Sequence, residues 1–183
     1  MTFVQALATI AHKTFSKVQA LHLDYLIFLP VAFFISSQII IPLPFSPVPL
    51  SLQPLPVLLA AWLLGWRGVA GYGMYLAQGA LGAPIFSGFS GGLVHLLGPT
   101  GGYLIGFLIG AVLLVTLRNS ATNILLTYVA YAVAMIVAFT CGVGYLSTFM
   151  PVSLAIIHGF IPFIIGDFVI KPTLFLIATG LKK

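Results

Sequence analysis

The sequence predicts an all-α polytopic membrane protein: six transmembrane helices, an N-terminal amphipathic helix, and outer loops rich in proline and glycine. Three observations lead there. Charged residues are 5% of the chain and hydrophobic ones 61%, with a mean hydropathy of +1.19; soluble domains run near 25% charged. At about 20 residues per span, six spans with short connections take up the 183 residues. Third, the charges alternate in space. With six spans Lys13, Lys17, Arg67, Arg118, Lys182 and Lys183 all fall on one side, and the opposite connections, 42–53, 83–101 and 146–160, carry none. By the positive-inside rule the charged side, with both termini, is cytoplasmic.

Residues 1–23 form the first unit. Val4, Leu7, Val18 and Leu21 share a helical stripe from which Lys13 and Lys17 are absent, the pattern of an interfacial helix in contact with membrane lipid. Residues 24–183 form the membrane domain. Its first span runs over 25–41, with Ala32 and Ser36 as a small-xxx-small pair suited to close helix approach. Residues 42–56 hold six of the twelve prolines and read as extended, because proline fixes φ and removes a donor. Gln53 ends that stretch, and Pro54 suits the first turn of the second span, 54–66. Arg67-Gly68 is the expected turn into the third span, 69–82, where Tyr72, Tyr75 and Gln78 need partners inside the bundle.

Residues 83–102 are glycine-rich and uncharged. Irregular backbone at membrane depth is tolerated where protein buries it or where it lines a cavity. Gly102, Gly106 and Gly110 then recur at period four in the fourth span. Ala130, Ala134, Ala138 and Gly142 do the same in the fifth. Two such faces predict close helix–helix contact. Residues 145–158 read as a mixed connection, and the sixth span runs from 161 or 166 to 181.

Composition also narrows the function. The net charge of +5 is spread over ends and turns, which excludes a nucleic-acid footprint. Cys141 is the single cysteine and allows neither an internal disulfide nor a cysteine metal site. No cofactor, metal or catalytic residue is expected, and energy for any transport must come from partners or a gradient. The two acidic residues are Asp24 and Asp167. Asp167 stands four residues before Lys171 in apolar sequence, so on a helix the two share a face in the favourable order. Each costs roughly 2.5–3.5 kcal/mol at the centre of a lone membrane helix, and an intramembrane ionisable residue marks a functional site by default. A structural ion pair is the plainer reading. Pro172 adds a kink or local unwinding beside Lys171.

Four blocks carry a resemblance: Pro47-Val48-Pro49-Leu50-Ser51-Leu52-Gln53; Gly82-Ala83-Pro84-Ile85-Phe86 on to Gly91-Gly92; Leu97-Gly98-Pro99-Thr100-Gly101-Gly102-Tyr103; and Phe163-Ile164-Ile165-Gly166-Asp167-Phe168-Val169-Ile170-Lys171. In this order they resemble the BioY family, the biotin-binding S components of energy-coupling factor transporters. The resemblance implies a six-helix protein of the bacterial cytoplasmic membrane that binds biotin from outside. Its partners would be a transmembrane coupling protein and two ABC-type ATPases. It also implies that Asp167 and Lys171 contact the ligand and that Ser90 takes the position of a polar loop residue. An arginine of some members aligns with Leu104, so another group must meet the biotin carboxylate here. Backbone amides between Gly98 and Tyr103 are one candidate.

The expected ligand contacts are Asp167, Lys171, Ser90, Tyr103, Gln53, Phe86 and His95, with Phe89 as a further apolar wall. Gln53 serves equally to hold loops together. Alternatives remain open: a stand-alone secondary carrier or facilitator, for which no internal repeat is visible; a structural membrane subunit; and, from Gly88-Phe89-Ser90-Gly91 with His158, a serine–histidine intramembrane protease.

Overall fold

The computed structural model describes residues 25–180. The expected amphipathic unit, 1–23, lies outside them, as do Asp24, Lys182 and Lys183. Chain order is α1 (Tyr25–Gln38), β1 (Ile40–Ile41), β2 (Leu50–Ser51), α2 (Pro54–Leu64), α3 (Trp66–Ala80), a 3-10 turn (Ser87–Phe89), α4 (Leu93–Leu96), α5 (Gly101–Leu117), α6 (Ile124–Leu146), α7 (Val152–Gly159), a second 3-10 turn (Ile161–Phe163), a π-helical turn (Gly166–Ile170) and α8 (Lys171–Gly180).

The small-residue stripes meet as expected. α5 and α6 pack along their length. A Cβ added at Gly106 would collide with the Ala138 carbonyl, one at Gly110 with that of Ala134, and one at Gly102 with Tyr145. The helices approach to backbone distance because nothing but hydrogen stands between them. In α1 the buried positions are Pro30, Phe33, Ser36 and Ser37, whereas Ala32 is exposed, so Ala32 does not share an interface with Ser36 among the described residues. In α3, Tyr72 and Tyr75 are buried and stacked. Their hydroxyls donate to the carbonyls of Leu104 and Ile85 at 3.3 and 2.9 Å. Gln78 lies on the exposed face instead.

Two boundaries differ from the sequence reading. The chain turns between α2 and α3 at Gly65, with φ +64° and ψ −133°, a conformation that glycine adopts without a Cβ penalty. Gly68 sits inside α3, pressed against the Ala60 carbonyl; its small size serves packing, not turning. Residues 145–158, read as a mixed connection, are mostly helical. α6 runs on to Leu146, and α7 follows Pro151 as a helix of its own.

Helix length divides the molecule. α6 (23 residues) is by itself long and apolar enough to cross a membrane; Val152–Phe163 and Gly166–Gly180, bent by 43°, qualify only as a pair. α1, α2 and α5 are apolar but shorter. At 1.5 Å per residue, the 11 residues of α2 span about 16 Å, against roughly 30 Å of hydrocarbon. Glycine and proline are the cause, because they cut the apolar sequence into short pieces joined by irregular backbone. Large apolar side chains also face outward, among them Ile27, Phe28 and Ile35 of α1, Ile124 and Ile136 of α6, and Ile177 of α8. Helices that are apolar all round belong in lipid or deep in a core.

Candidate functional site

The irregular segments gather at one end of the bundle. β1 and β2 pair antiparallel, Ile40 opposite Ser51 and Ile41 opposite Leu50, and this short ladder holds the proline-rich loop over α2. The end of α1 pins the glycine-rich loop. Ser37 Oγ shares its proton between the Phe34 carbonyl of its own helix at 2.7 Å and the Ile85 carbonyl at 2.9 Å. Gln38 Nε2 donates to the Phe86 carbonyl at 3.0 Å, and Gln38 Oε1 accepts from the Phe89 amide at 3.1 Å. Phe86 is thereby driven inward over Gly79, which has room for its ring only because it lacks a Cβ. At the opposite end, Arg118 Nη1 donates to the Trp62 carbonyl at 3.1 Å, beside Gly65.

Beneath these loops lies a cavity that is open at its mouth. Asp167 and Lys171 stand at one part of it, with Ser51 and Gln53. His95, Ser87 and Thr100 stand at another, and Tyr103, Leu104, Phe107, Phe139 and Phe163 form apolar walls. The ring of Phe139 packs on Tyr103 and Phe163 at 5.7 and 5.5 Å between centroids.

Asp167 and Lys171 are buried and paired, with Nζ to Oδ1 at 2.6 Å. Lys171 Nζ also donates to the Ser51 carbonyl at 2.6 Å. The expected unwinding is real but lies one turn earlier than Pro172: the backbone from Gly166 to Ile170 is π-helical, and turns of this kind are frequent at functional sites. An ammonium has three donors, and two are used. Asp167 Oδ2 has no hydrogen-bond partner among the described residues. The site therefore offers a carboxylate acceptor and an ammonium proton, side by side and away from water.

The other expected residues fall as follows. Gln53 is buried on the cavity wall, with Nε2 3.5 Å from the Tyr72 hydroxyl. Tyr103 lines the cavity with its ring, while its hydroxyl donates to the Gly159 carbonyl at 2.8 Å. Ser90 does not line this cavity; it lines an adjoining outer cleft, donates to the Ser87 carbonyl at 2.7 Å and lies 2.9 Å from His95 Nδ1. Phe86 stands behind His95, stacked on it at 5.0 Å, and lines neither space. Phe89 is 67% exposed and reaches Phe34 instead. Burial lowers the pKa of His95 below the ordinary histidine value.

The amide cradle is largely spent. The N–H groups of Gly98, Gly101, Tyr103 and Leu104 already donate to carbonyls of their own turn. His158, offered as the partner of a Ser90 nucleophile, packs instead against Phe45, while the Ser90 hydroxyl is engaged by Ser87 and His95. Sequence reasoning missed Phe107 and Phe139 as cavity walls, quoted Phe163 only within a family block, and took Thr100 for its backbone amide rather than its side chain. Phe107 is one helical turn from Tyr103, so the i, i+4 rule marks it in retrospect; Phe139 stood hidden next to the small-residue stripe.

Comparisons with known proteins identify the family. The profile of the BioY family matches residues 12–183. A Thermotoga maritima protein named "Biotin transporter BioY" is 38% identical over 146 residues, 78% of this chain and 86% of that one. A Pyrococcus horikoshii protein named "Probable biotin transporter BioY" is 38% identical over 138 residues, 75% of this chain and 82% of that one. A crystal structure of the S-component for biotin from an ECF-type ABC transporter matches with a TM-score of 0.76 and 27% identity, covering 100% of this chain and 95% of the other. On a match that runs nearly the length of the sequence, the chain belongs to the BioY family.

Proposed function

We propose that this chain binds biotin at the outer face of the cytoplasmic membrane and carries it inward as the S component of an energy-coupling factor transporter. The observation that carries this reading is the half-used ion pair. Asp167 Oδ2 is an acceptor without a donor, and Lys171 retains one proton after serving Asp167 and Ser51. Biotin's ureido ring presents N–H donors beside a carbonyl acceptor, the complement of these two groups. Charge-assisted hydrogen bonds of this kind are the strong ones. The ring system then lies against Tyr103, Phe107, Phe139 and Phe163, with Gln53 at its edge, and the valerate tail extends toward Thr100 and His95. Ser90 and Phe86 act through His95.

Six spans cross the membrane: α1, α2, α3, α5, α6, and the bent final segment. Both termini are cytoplasmic, residues 1–23 lie along the lipid surface, and residues 24–183 make up the binding domain. Arg67 and Arg118 support this orientation. Arg118 reaches the α2–α3 junction, and Arg67 is two residues from Gly65 in sequence, so both lie at the end away from the uncharged loops. The partners are a transmembrane coupling protein and two ABC-type ATPases, which supply the ATP hydrolysis.

The test is calorimetric titration of the purified protein with biotin, alongside Asp167→Asn and Lys171→Met. Each change is expected to weaken binding at least tenfold, about 1.4 kcal/mol. A folded wild type that binds no biotin overturns the reading. Uptake into empty liposomes by the chain alone, without ATPases, replaces the S-component role with that of a carrier.

A further inference from the structure

His95 is the one described ionisable side chain shared by the inner cavity and the outer cleft. Its tautomer follows from its partners. Ser90 Oγ gives its single proton to the Ser87 carbonyl, so toward His95 Nδ1, at 2.9 Å, it can only accept. Nδ1 therefore carries hydrogen, and the neutral ring keeps its lone pair on Nε2, which faces Thr100 Oγ1 at 3.3 Å. Thr100 lines the same two spaces. A second proton can be gained only at Nε2. Phe86, stacked at 23° to the ring and pinned by Gln38 and Ser37 through the loop, fixes its plane.

Among the described residues, a carboxylate in this cavity meets no permanent unpaired cation. Lys171 is balanced by Asp167, and Leu104 is apolar. The charged and titratable groups facing His95 are few. From the last helical segment they are Asp167 and Lys171, already paired; from α5 there is the Tyr103 ring. The β2–α2 side and the first 3-10 turn offer only Pro49, Gln53 and Ser87.

We infer that His95 reads the ligand's carboxylate by taking up a proton: the anionic tail arrives between His95 and Thr100, Nε2 is protonated, and the new N–H donates to it. The inference rests on the biotin reading above. Burial holds the empty-site histidine below its usual value, so it begins neutral at pH 7. A bound carboxylate raises it. Between the free and bound values, binding takes up a proton, and affinity falls as pH rises by at most about tenfold per unit. Below the free value His95 is charged in both states and the dependence vanishes.

The experiment is calorimetry with biotin and with biotinamide, in phosphate and in Tris, from about pH 6 to about pH 8. Biotin's carboxyl is ionised throughout this range. The two buffers differ in ionisation enthalpy and so report the protons bound. The expected result is uptake approaching one proton with biotin and none with biotinamide, with only biotin losing affinity toward high pH. His95→Gln keeps a polar group but has no site to protonate, and abolishes the uptake; its thermal transition reports whether it is folded. If it is not, the two ligands on wild type decide alone. Biotin bound without proton uptake, equal uptake with biotinamide, or uptake that survives in a folded His95→Gln overturns the inference and leaves the biotin reading standing. Failure of wild type to bind either ligand removes both.

Discussion

Lys171→Met, made singly and together with Asp167→Asn, separates an ion pair from two independent polar residues. The single change removes two hydrogen bonds of 2.6 Å. It also leaves a carboxylate with 0% exposure and no counter-charge. Breaking a buried pair from one side costs about 3–5 kcal/mol. At roughly 2–4 °C per kcal/mol for a chain of this size, the unfolding midpoint should fall by about 6–20 °C. In the double variant neither charge remains. What persists is mainly the Ser51 carbonyl without its donor, worth about 1–3 kcal/mol. Each single loss should therefore exceed the double loss by about 2 kcal/mol, and the two singles summed should exceed it by more. The assay is fluorescence-monitored thermal unfolding of the ligand-free protein, all variants in one detergent. Additive losses, with the double variant as unstable as the two singles summed, would refute the argument that one group's charge is held by the other.

Gly106→Ala should destabilise by about 1–3 kcal/mol, because its Cβ meets the Ala138 backbone carbonyl. Gly73→Ala, with nothing within 4 Å, should gain up to about 1 kcal/mol of helix stability. The same melting assay decides, and similar shifts for the two would count against backbone contact between α5 and α6. Tyr103→Phe should lose about 1 kcal/mol of stability with its bond to Gly159, yet keep biotin affinity to within about threefold, since the ring faces the cavity and the hydroxyl does not. A tenfold weakening in calorimetry with an unchanged midpoint would place the hydroxyl on the ligand.

The parts of this molecule that repeat were legible from sequence. The glycine and alanine stripes of α5 and α6 announced their contact because period four is a geometric signature. Asp167 and Lys171 announced themselves because ionised groups in apolar sequence demand a reason. Loop aromatics were harder. Phe86 and Phe89 are three residues apart, yet one is sealed behind His95 and the other exposed. Hydrogen bonds from Gln38, far away in sequence, and the positive φ of Gly88 decide between them. Gly65 and Gly68 were equally ambiguous, since glycine serves both turning and close packing, and only the backbone angle distinguishes the two uses. The apolar walls Phe139 and Phe163 carry no local mark at all: a phenylalanine facing a cavity and one facing a core are spelled alike.

The bond from Lys171 to the Ser51 carbonyl joins positions 120 residues apart. That separation sets an order of events at the ribosome. At about 5–20 residues per second, Ser51 emerges roughly 6–24 s before the lysine that will hold it. Through that interval the proline-rich loop has no anchor from the final helix, and the cavity has no floor. The cavity is thus the last part of the molecule to be completed, and a chain whose synthesis stops short of Lys171 can have most of its helices and no finished cavity.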